Sequence, residues 1–283
     1  MKARVIVIGS TGMLGQALTK AIVKQPKRGP IHAIVAAGLV GGITDNMARP
    51  VNYLRANLKI ALSFLDKCQG EPKIKRLVYV GSSCMYPRNC RQPMHETDLW
   101  TGPLEPTNEG YAVAKLAGEA LCRAYRQQYG VDFRTAILCN LYGPLDRGLK
   151  DASKAHVVPA LIRKFTDAKA KGLRVVRLMG NGTAYRELMH HDDAARGILA
   201  YLSESKAPPT VNIGSGEQVS IAHLAGAIAE LCGYKGRIVF AGGEDGMPRK
   251  HLDSGRIRKM GWKPTIKLAD GLMETVKAYQ VGA

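Results

Sequence analysis

The sequence predicts an α/β protein in which helices cover a mostly parallel sheet. Short apolar runs of strand type alternate with segments of helical spacing along the whole chain, a pattern typical of βαβ units. The length of 283 residues suffices for one large unit or two modest domains. Hydrophobic residues at 46% and charged residues at 23% are close to globular averages, which excludes disordered, collagen-like and coiled-coil classes.

The first strand is predicted at residues 4–8 and the first helix at 13–24, where apolar side chains recur on one face. Further strands are predicted at 31–37, 77–80, 135–138, 175–179, 211–213 and 238–240. Further helices are predicted at 52–68, 109–129, 157–171, 193–202, 221–232 and 269–279. The loop-rich stretch 142–155 divides the chain into a domain of residues 1–145, to which 184–214 returns, and a smaller domain of 146–283.

The net charge of +18 predicts anionic partners, either nucleic acid or nucleotides and nucleotide sugars. Basic residues are spread along the chain, so charge alone favours neither partner. The nearly uncharged run at 31–44 is too short to cross a bilayer, and the apolar run before Gly9 is too short for a signal peptide. Six cysteines without a CxxC pair indicate reduced thiols. We therefore expect a cytoplasmic protein that binds no membrane.

The first strand leads into a glycine-rich turn that contains Gly9, Gly12 and Gly15. Glycines at these spacings let the turn tighten and let the backbone approach a pyrophosphate, which the N-terminus of the next helix faces. The position between strand and helix favours a Rossmann-like dinucleotide site over a purely structural turn.

A second constellation lies in the middle of the chain. Ser82 and Cys84 follow the strand at 77–80, at the end where open α/β sheets bind ligands. Tyr111 and Lys115 are four residues apart on the next helix, so both side chains leave one face. Such an ammonium can assist a phenol in proton transfer to a carbonyl oxygen. A polar turn and a solvated helix face are the structural alternatives.

Together these motifs resemble the extended short-chain dehydrogenase/reductases, and within them the GDP-L-fucose synthase family. The resemblance is carried by residues 81–87, 104–108, 111–115, 140–144, 156–159, 180–182 with Arg186, and 247–250. It implies 3,5-epimerisation and NADPH-dependent 4-keto reduction of a GDP-4-keto-6-deoxy-hexose. Because the set of Ser82, Tyr111 and Lys115 is intact, we expect an enzyme and no nucleic-acid partner.

The resemblance also implies residue roles. Ser82 and Tyr111 would bind the sugar ketone, and Lys115 would hold the nicotinamide ribose and lower the Tyr111 pKa. Cys84 and His156 would be the base and acid that invert C-3 and C-5. The cofactor would contact Gly9, Thr11, Gly12, Met13, Leu14, Gly15, Lys115 and His156. The GDP sugar would contact Asn140, Arg163, Lys164, Arg186 and Lys250.

One segment of the family pattern is missing. Residues 25–30 lead directly into 31–37, which align with the family's fourth strand, so the second and third strands are predicted to be absent. No acidic residue precedes Asp45, and Lys24, Lys27 and Arg28 are basic. This favours NADP over NAD, and fits equally well the loss of half the cofactor site.

The loss has consequences for topology. The first strand would become a sheet edge, which a second protomer is expected to cover. A right-handed crossover would move the first helix to the opposite face and spoil the cofactor crevice, whereas a left-handed one would preserve it.

Three alternatives remain open: an epimerase without reduction, a reductase without epimerisation, and a non-catalytic nucleotide-binding or RNA-binding relative. In the run from His190 to Asp193, Asp192 is expected to cap a helix, and no metal site is predicted.

Overall fold

The computed structural model describes residues 3–22, 29–152, 155–243 and 247–282. The strands are β1 (Arg4–Ile8), β2 (Ile31–Val35), β3 (Ile74–Ser82), β4 (Asp132–Leu138), β5 (Asn140–Tyr142), β6 (Val175–Leu178), β7 (Tyr185–His190), β8 (Thr210–Ile213), β9 (Gln218–Ser220), β10 (Arg237–Phe240) and β11 (Arg249–Lys250). The helices are α1 (Met13–Ala21), α2 (Ile43–Ala48), α3 (Pro50–Gln69), α4 (Glu109–Tyr129), α5 (Val157–Ala170), α6 (His191–Ser203), α7 (Ile221–Leu231), α8 (Gly255–Lys259) and α9 (Leu268–Gly282).

Each strand and helix predicted from the sequence is present with bounds that differ by a few residues. Residues 23 and 24 of the predicted first helix lie outside the described residues. The sequence did not predict β5, β7, β9, β11, α2 or α8, because these elements are too short or too polar to show a clear period.

The predicted α/β class is confirmed by a parallel sheet with strand order β1, β2, β3, β4, β8 in the described chain. Arg4 pairs with Ile31 and Ile8 with Val35, so β1 lies beside β2 along its whole length. Strands β1 to β4 therefore lie side by side in chain order, β8 follows β4, and β1 forms one edge of the sheet.

Helix α1 lies on the opposite face of this sheet from α3 and α4. Its residues Leu14 and Leu18 share one apolar cluster with Ile198 of α6, whereas Leu65 of α3 and Cys122 of α4 belong to another. The steps from β1 to β2, β2 to β3 and β3 to β4 all run in one direction across the sheet. The β1–α1–β2 connection therefore has the opposite hand to the connections from β2 to β3 and from β3 to β4. If those two are right-handed, as such connections usually are, the first is the rare left-handed crossover.

A further apolar cluster lies apart from the sheet. It contains Phe165 of α5, Val176 of β6, Ile228 of α7 and Val276 of α9. Strands β6 and β10 pair in parallel there, and β11, β7 and β5 form another small sheet to which β9 adds antiparallel. The division into a domain of 1–145 and a smaller domain of 146–283 stays a prediction.

Glu187 fixes the segment that carries β11. Its carboxylate is buried and accepts the N–H groups of Gly216 at 2.7 Å and Leu252 at 2.8 Å. Burial raises the pKa of Glu187 to about 7, although these two N–H groups oppose the shift. Because Leu252 is only two residues beyond β11, this carboxylate helps to hold Lys250 in its register position beside Arg186.

The prediction that Asp192 caps the following helix is wrong. Helix α6 begins at His191, and the residue that caps it is His190, whose Nδ1 accepts the Asp192 N–H at 3.3 Å. Asp192 lies inside the first turn, where its Oδ1 is 2.9 Å from His191 Nδ1. The helix starts two residues earlier than its apolar period indicates, because polar residues fill its first turn.

Among the described residues, no helix is both long enough and apolar enough to span a bilayer.

Candidate active site

The glycine-rich turn between β1 and α1 contains two glycines that the fold itself requires. Gly9 has a φ of +91°, and a Cβ there would lie 2.5 Å from the backbone nitrogen of Ala37. A Cβ at Gly15 would overlap the carbonyl oxygen of Gly9. Gly12 differs, because the nearest atom to its Cβ would be 3.6 Å away and its φ is −75°. The space beside Gly12 is therefore open to a ligand at the N-terminus of α1.

Ser82 is the last residue of β3 and lies at the carboxyl end of the central sheet. Its Oγ accepts the Cys84 N–H at 3.3 Å, which starts a short 3-10 turn from Ser83 to Met85. The Ser82 hydroxyl also hydrogen-bonds the side chain of Tyr111. The strand end and the first turn of α4 thus place two hydroxyl groups together, as carbonyl activation requires.

Lys115 lies one helical turn beyond Tyr111. Its Nζ donates to the Val80 carbonyl oxygen at 2.9 Å and lies 5.9 Å from the centroid of the Tyr111 ring. Burial lowers the pKa of Lys115 to about 8.

The predicted lowering of the Tyr111 pKa is not found in this structure. Burial and the nearby Cys84 thiol raise the pKa of Tyr111, while the Ser82 hydrogen bond opposes the shift. Burial is the largest cause of this rise, and the Lys115 ammonium donates to the Val80 carbonyl oxygen instead of to the phenol.

The Cys84 thiol lies between two donors from distant parts of the chain. Asn108 Nδ2 donates to Cys84 Sγ at 3.1 Å, and Lys250 Nζ donates to it at 3.3 Å. Burial alone would raise the Cys84 pKa, but the Lys250 charge and hydrogen bonds from Ser82, Lys250 and Asn108 outweigh burial and lower it. The surroundings of Cys84 therefore lower the pH at which its thiol becomes a thiolate, the form of cysteine that acts as a base.

His156 is the N-cap residue of α5 and is paired electrostatically with Asp146. Burial lowers the pKa of His156, and the Asp146 charge opposes this. Burial raises the pKa of Asp146, against the Gly148 N–H and His156. Asp146 Oδ2 is buried without a hydrogen-bond partner among the described residues. This leaves the carboxylate available to the imidazolium form of His156.

The residues predicted to bind the GDP sugar lie on one small sheet and on helix α5. Asn140, Arg186 and Lys250 lie on β5, β7 and β11, which are adjacent strands of one small sheet. Arg163 and Lys164 lie on α5, where their side chains donate to backbone carbonyls of the protein. Arg163 thereby holds the turn at 147–149, and Lys164 Nζ donates to Arg177 O at 2.7 Å.

The sequence analysis did not identify Asn108 or Asp146 as site residues. Asn108 precedes α4 and ends one of the segments that carry the resemblance, whereas Asp146 follows β5 and lies two residues beyond another. The position of each polar residue just outside a helix or strand was the available signal. Only their contacts with Cys84 and His156 distinguish them from ordinary capping residues.

The parallel sheet, the open glycine turn and the cluster of Ser82, Tyr111 and Lys115 define a Rossmann-like nucleotide-binding protein. Residues 24–214 match the family model described as NAD dependent epimerase/dehydratase family. The chain belongs to this family.

Two named relatives share much of the sequence. The chain is 43% identical over 251 residues to "Probable GDP-L-fucose synthase 1" of Oryza sativa subsp. japonica, covering 88% of this chain and 76% of the relative. It is 37% identical over 301 residues to "GDP-L-fucose synthase" of Sinorhizobium fredii, covering 98% of this chain and 95% of the relative. Since 301 exceeds the 283 residues of this chain, the bacterial relative contains residues with no counterpart here.

A solved structure supports the fold. MlghC, a GDP-mannoheptose C4 reductase from Campylobacter jejuni with NADP bound, superposes with a TM-score of 0.84 at 27% identity. The match covers 99% of this chain and 98% of MlghC.

Gly15 and Gly12 are expected to respond differently to replacement by alanine. Gly15→Ala should destabilise the protein strongly, because its Cβ overlaps backbone. Gly12→Ala should leave the melting temperature within about 2 °C of wild type, yet weaken NADPH binding about tenfold by occupying the open space. Thermal melts and fluorescence titration measure the two effects. Unchanged NADPH affinity in Gly12→Ala would contradict the assignment.

Replacing Lys250 is expected to raise the pKa of Cys84. In Lys250→Met the thiol loses its positive neighbour and one donor, so alkylation of Cys84 by iodoacetamide should have its midpoint at higher pH than in wild type. Peptide mass spectrometry of Cys84 across a pH series provides the measurement. Lys164→Met is the control, since that ammonium donates to a backbone carbonyl instead. Coincident profiles for wild type and Lys250→Met would refute the role of Lys250.

Proposed function

We propose that this protein catalyses 3,5-epimerisation followed by NADPH-dependent 4-keto reduction of a GDP-4-keto-6-deoxy-hexose. The observation that carries the proposal is the contact of Cys84 Sγ with Lys250 Nζ, which places a thiolate base beside the paired hydroxyls of Ser82 and Tyr111. The two relatives named as GDP-L-fucose synthases support the substrate class.

The first step is activation of the C-4 ketone. Ser82 and Tyr111 would donate hydrogen bonds to its oxygen, which acidifies the protons on C-3 and C-5 because their carbanions delocalise into an enolate. The raised pKa of Tyr111 keeps the phenol protonated at neutral pH, as a donor to a developing oxyanion must be.

Inversion of each carbon requires a base on one face of the ring and an acid on the other. The Cys84 thiolate would remove the proton, and the His156 imidazolium would return one to the opposite face of the same carbon. Asp146 favours this imidazolium, because its charge counteracts the effect of burial on the His156 pKa. The thiol and the neutral imidazole then exchange protons with water before the second inversion.

Reduction completes the sequence at C-4. When bound, NADPH supplies the hydride. Tyr111 would give its proton to the ketone oxygen, and the Lys115 ammonium, one turn away, would hold the ribose of the cofactor. The open space at Gly12 and the N-terminus of α1 fit the pyrophosphate of this dinucleotide.

Asn140, Arg186 and Lys250 would bind the GDP moiety. Arg186 is the register partner of Lys250 and lies on the strand next to Asn140, so the three side chains belong to one surface beside Cys84. Arg163 and Lys164 would join them only after leaving their backbone carbonyls. Guanidinium and ammonium groups are suited to diphosphate oxygens.

The proposed strand deletion has support in two observations. Strand β2 pairs directly with β1 along its length, and the Sinorhizobium alignment is longer than this chain. The missing elements would be the family's second and third strands, which normally bind the adenosine end of the cofactor. The absence of an acidic residue before Asp45 is compatible with a 2′-phosphate.

The same deletion favours a second candidate function, an epimerase that needs no nicotinamide. The Cys84 and His156 chemistry uses residues outside the shortened region, so it would survive a weakened cofactor site. Reduction, in contrast, requires the dinucleotide.

The decisive experiment incubates the protein with GDP-4-keto-6-deoxy-mannose in heavy water, with and without NADPH. NMR should show deuterium at C-3 and C-5 in both samples, and NADPH oxidation should accompany reduction at C-4. Cys84→Ser should slow the exchange about a hundredfold or more, and Tyr111→Phe should suppress reduction by a similar factor. Exchange with no NADPH oxidation would select the epimerase alone.

Matched variants separate these effects from general damage. Cys90→Ser removes another partly buried thiol, whose pKa burial raises to about 11, and Tyr129→Phe removes an exposed phenol. Both should retain wild-type rates. Wild-type rates in Cys84→Ser and Tyr111→Phe as well would reject the proposed mechanism.

A homodimer that covers the β1 edge is part of the proposal. Strand β1 has a neighbour on one side only within the described sheet, and an open edge normally needs shielding. Amide hydrogen exchange of residues 4–8 should slow as protein concentration rises from nanomolar to micromolar. Residues 210–213, at the opposite edge of the sheet, are the control. A monomer by light scattering at micromolar concentration would eliminate this idea.

A further inference from the structure

Arg147 connects the loop after β5 to the glycine-rich turn at the start of the chain. Its Nη2 donates to the carbonyl oxygen of Thr11 at 2.8 Å, across 136 positions of sequence. The side chain is exposed, so one part of the guanidinium contacts the turn while the rest faces solvent. This contact brings a permanent positive charge to the mouth of the proposed dinucleotide site.

The position of Arg147 is fixed by its buried neighbours. Asp146 caps the short 3-10 turn at 147–149 by accepting the Gly148 N–H at 2.8 Å. Arg163 Nη2 donates to the carbonyl oxygens of Gly148 and Leu149, each at 3.1 Å. Gly148 and Leu149 are buried, whereas Arg147 is on the outer side of the same turn. The guanidinium therefore belongs to a turn that is held by the hydrogen bonds of Asp146 and Arg163.

The glycine-rich turn itself carries no charged side chain between Gly9 and Gly15. Lys20 lies at the far end of α1, 3.9 Å from the Asp192 carboxylate. Lys24, Lys27 and Arg28 are outside the described residues. A dinucleotide pyrophosphate carries two negative charges, and a helix N-terminus offers only about half of one positive charge. A cation at this turn would supply more of the positive charge that the pyrophosphate requires.

We propose that Arg147 binds the pyrophosphate of the nicotinamide cofactor. The inference rests on the proposed function, because it assumes that the chain binds NADPH. A guanidinium has five N–H donors, and the bond to Thr11 uses one of them. The remaining donors can form charge-assisted hydrogen bonds with phosphate oxygens above the open space at Gly12.

The test compares Arg147→Gln and Arg147→Lys with a matched control. Arg258 is also exposed and its Nη2 also donates to a backbone carbonyl, that of Ser215, at 2.8 Å. Arg258→Gln therefore removes the same charge and the same kind of hydrogen bond away from the glycine turn. Fluorescence titration gives the Kd for NADPH and for NADH, and thermal melts without nucleotide report on folding.

Arg147→Gln is expected to weaken both nucleotides by an equal factor, about tenfold to a hundredfold. Arg147→Lys should recover part of the affinity, since an ammonium supplies charge without the planar fork. Arg258→Gln should bind as wild type does. Equal loss of NADPH and NADH identifies the pyrophosphate, which both nucleotides share.

Two outcomes would overturn the inference while leaving the proposed function intact. Wild-type affinity in a folded Arg147→Gln would remove Arg147 from the cofactor site. A loss confined to NADPH would assign the charge to the 2′-phosphate instead. If the wild-type protein binds neither nucleotide, the inference fails together with the reductive half of the proposed function.

Discussion

The buried hydrogen bond from Lys115 Nζ to the Val80 carbonyl determines how helix α4 sits on strand β3. An ammonium without a partner in this position would be costly, so the bond fixes the helix along the strand. Farther along α4, Gly118 packs so closely against the Tyr79 ring that a Cβ would overlap it. One turn before Lys115, this arrangement brings Tyr111 to Ser82 at the end of the same strand. The position of each group in the proposed carbonyl site follows from it.

The electrostatic character of the site comes from contacts between distant segments. Lys250 is 166 positions from Cys84, and Glu187 helps to hold the segment beyond β11 in place. The two donors on the thiol overcome the tendency of burial to protonate it. For His156, burial lowers the pKa, and the charge of Asp146 opposes this only in part.

The hand of the first connection decides which face of the sheet carries helix α1, whose N-terminus adjoins the glycine-rich turn. Helix α1 packs with α6, on the face opposite α3 and α4, although β1 pairs directly with β2. The N-terminus of α1 therefore stays within reach of Arg147, which follows β5. A right-handed connection would have moved this helix to the other face. The apolar contacts of Leu14 and Leu18 with the α6 side of the core favour the observed arrangement.

The sequence by itself determined the alternation of strands and helices, the glycine turn, and the placement of Ser82, Tyr111 and Lys115 at strand and helix ends. These depend on local periodicity and on spacings of a few residues, which a sequence expresses directly. Only the tertiary structure decided that Lys250 contacts Cys84, and that Asn108 and Asp146 belong to the site. It also decided that His190 caps α6 and that the Tyr111 pKa stays raised despite the nearby Lys115. The physical reason is that burial and contacts between residues far apart in the chain set these properties, and neither follows from residue type and spacing alone.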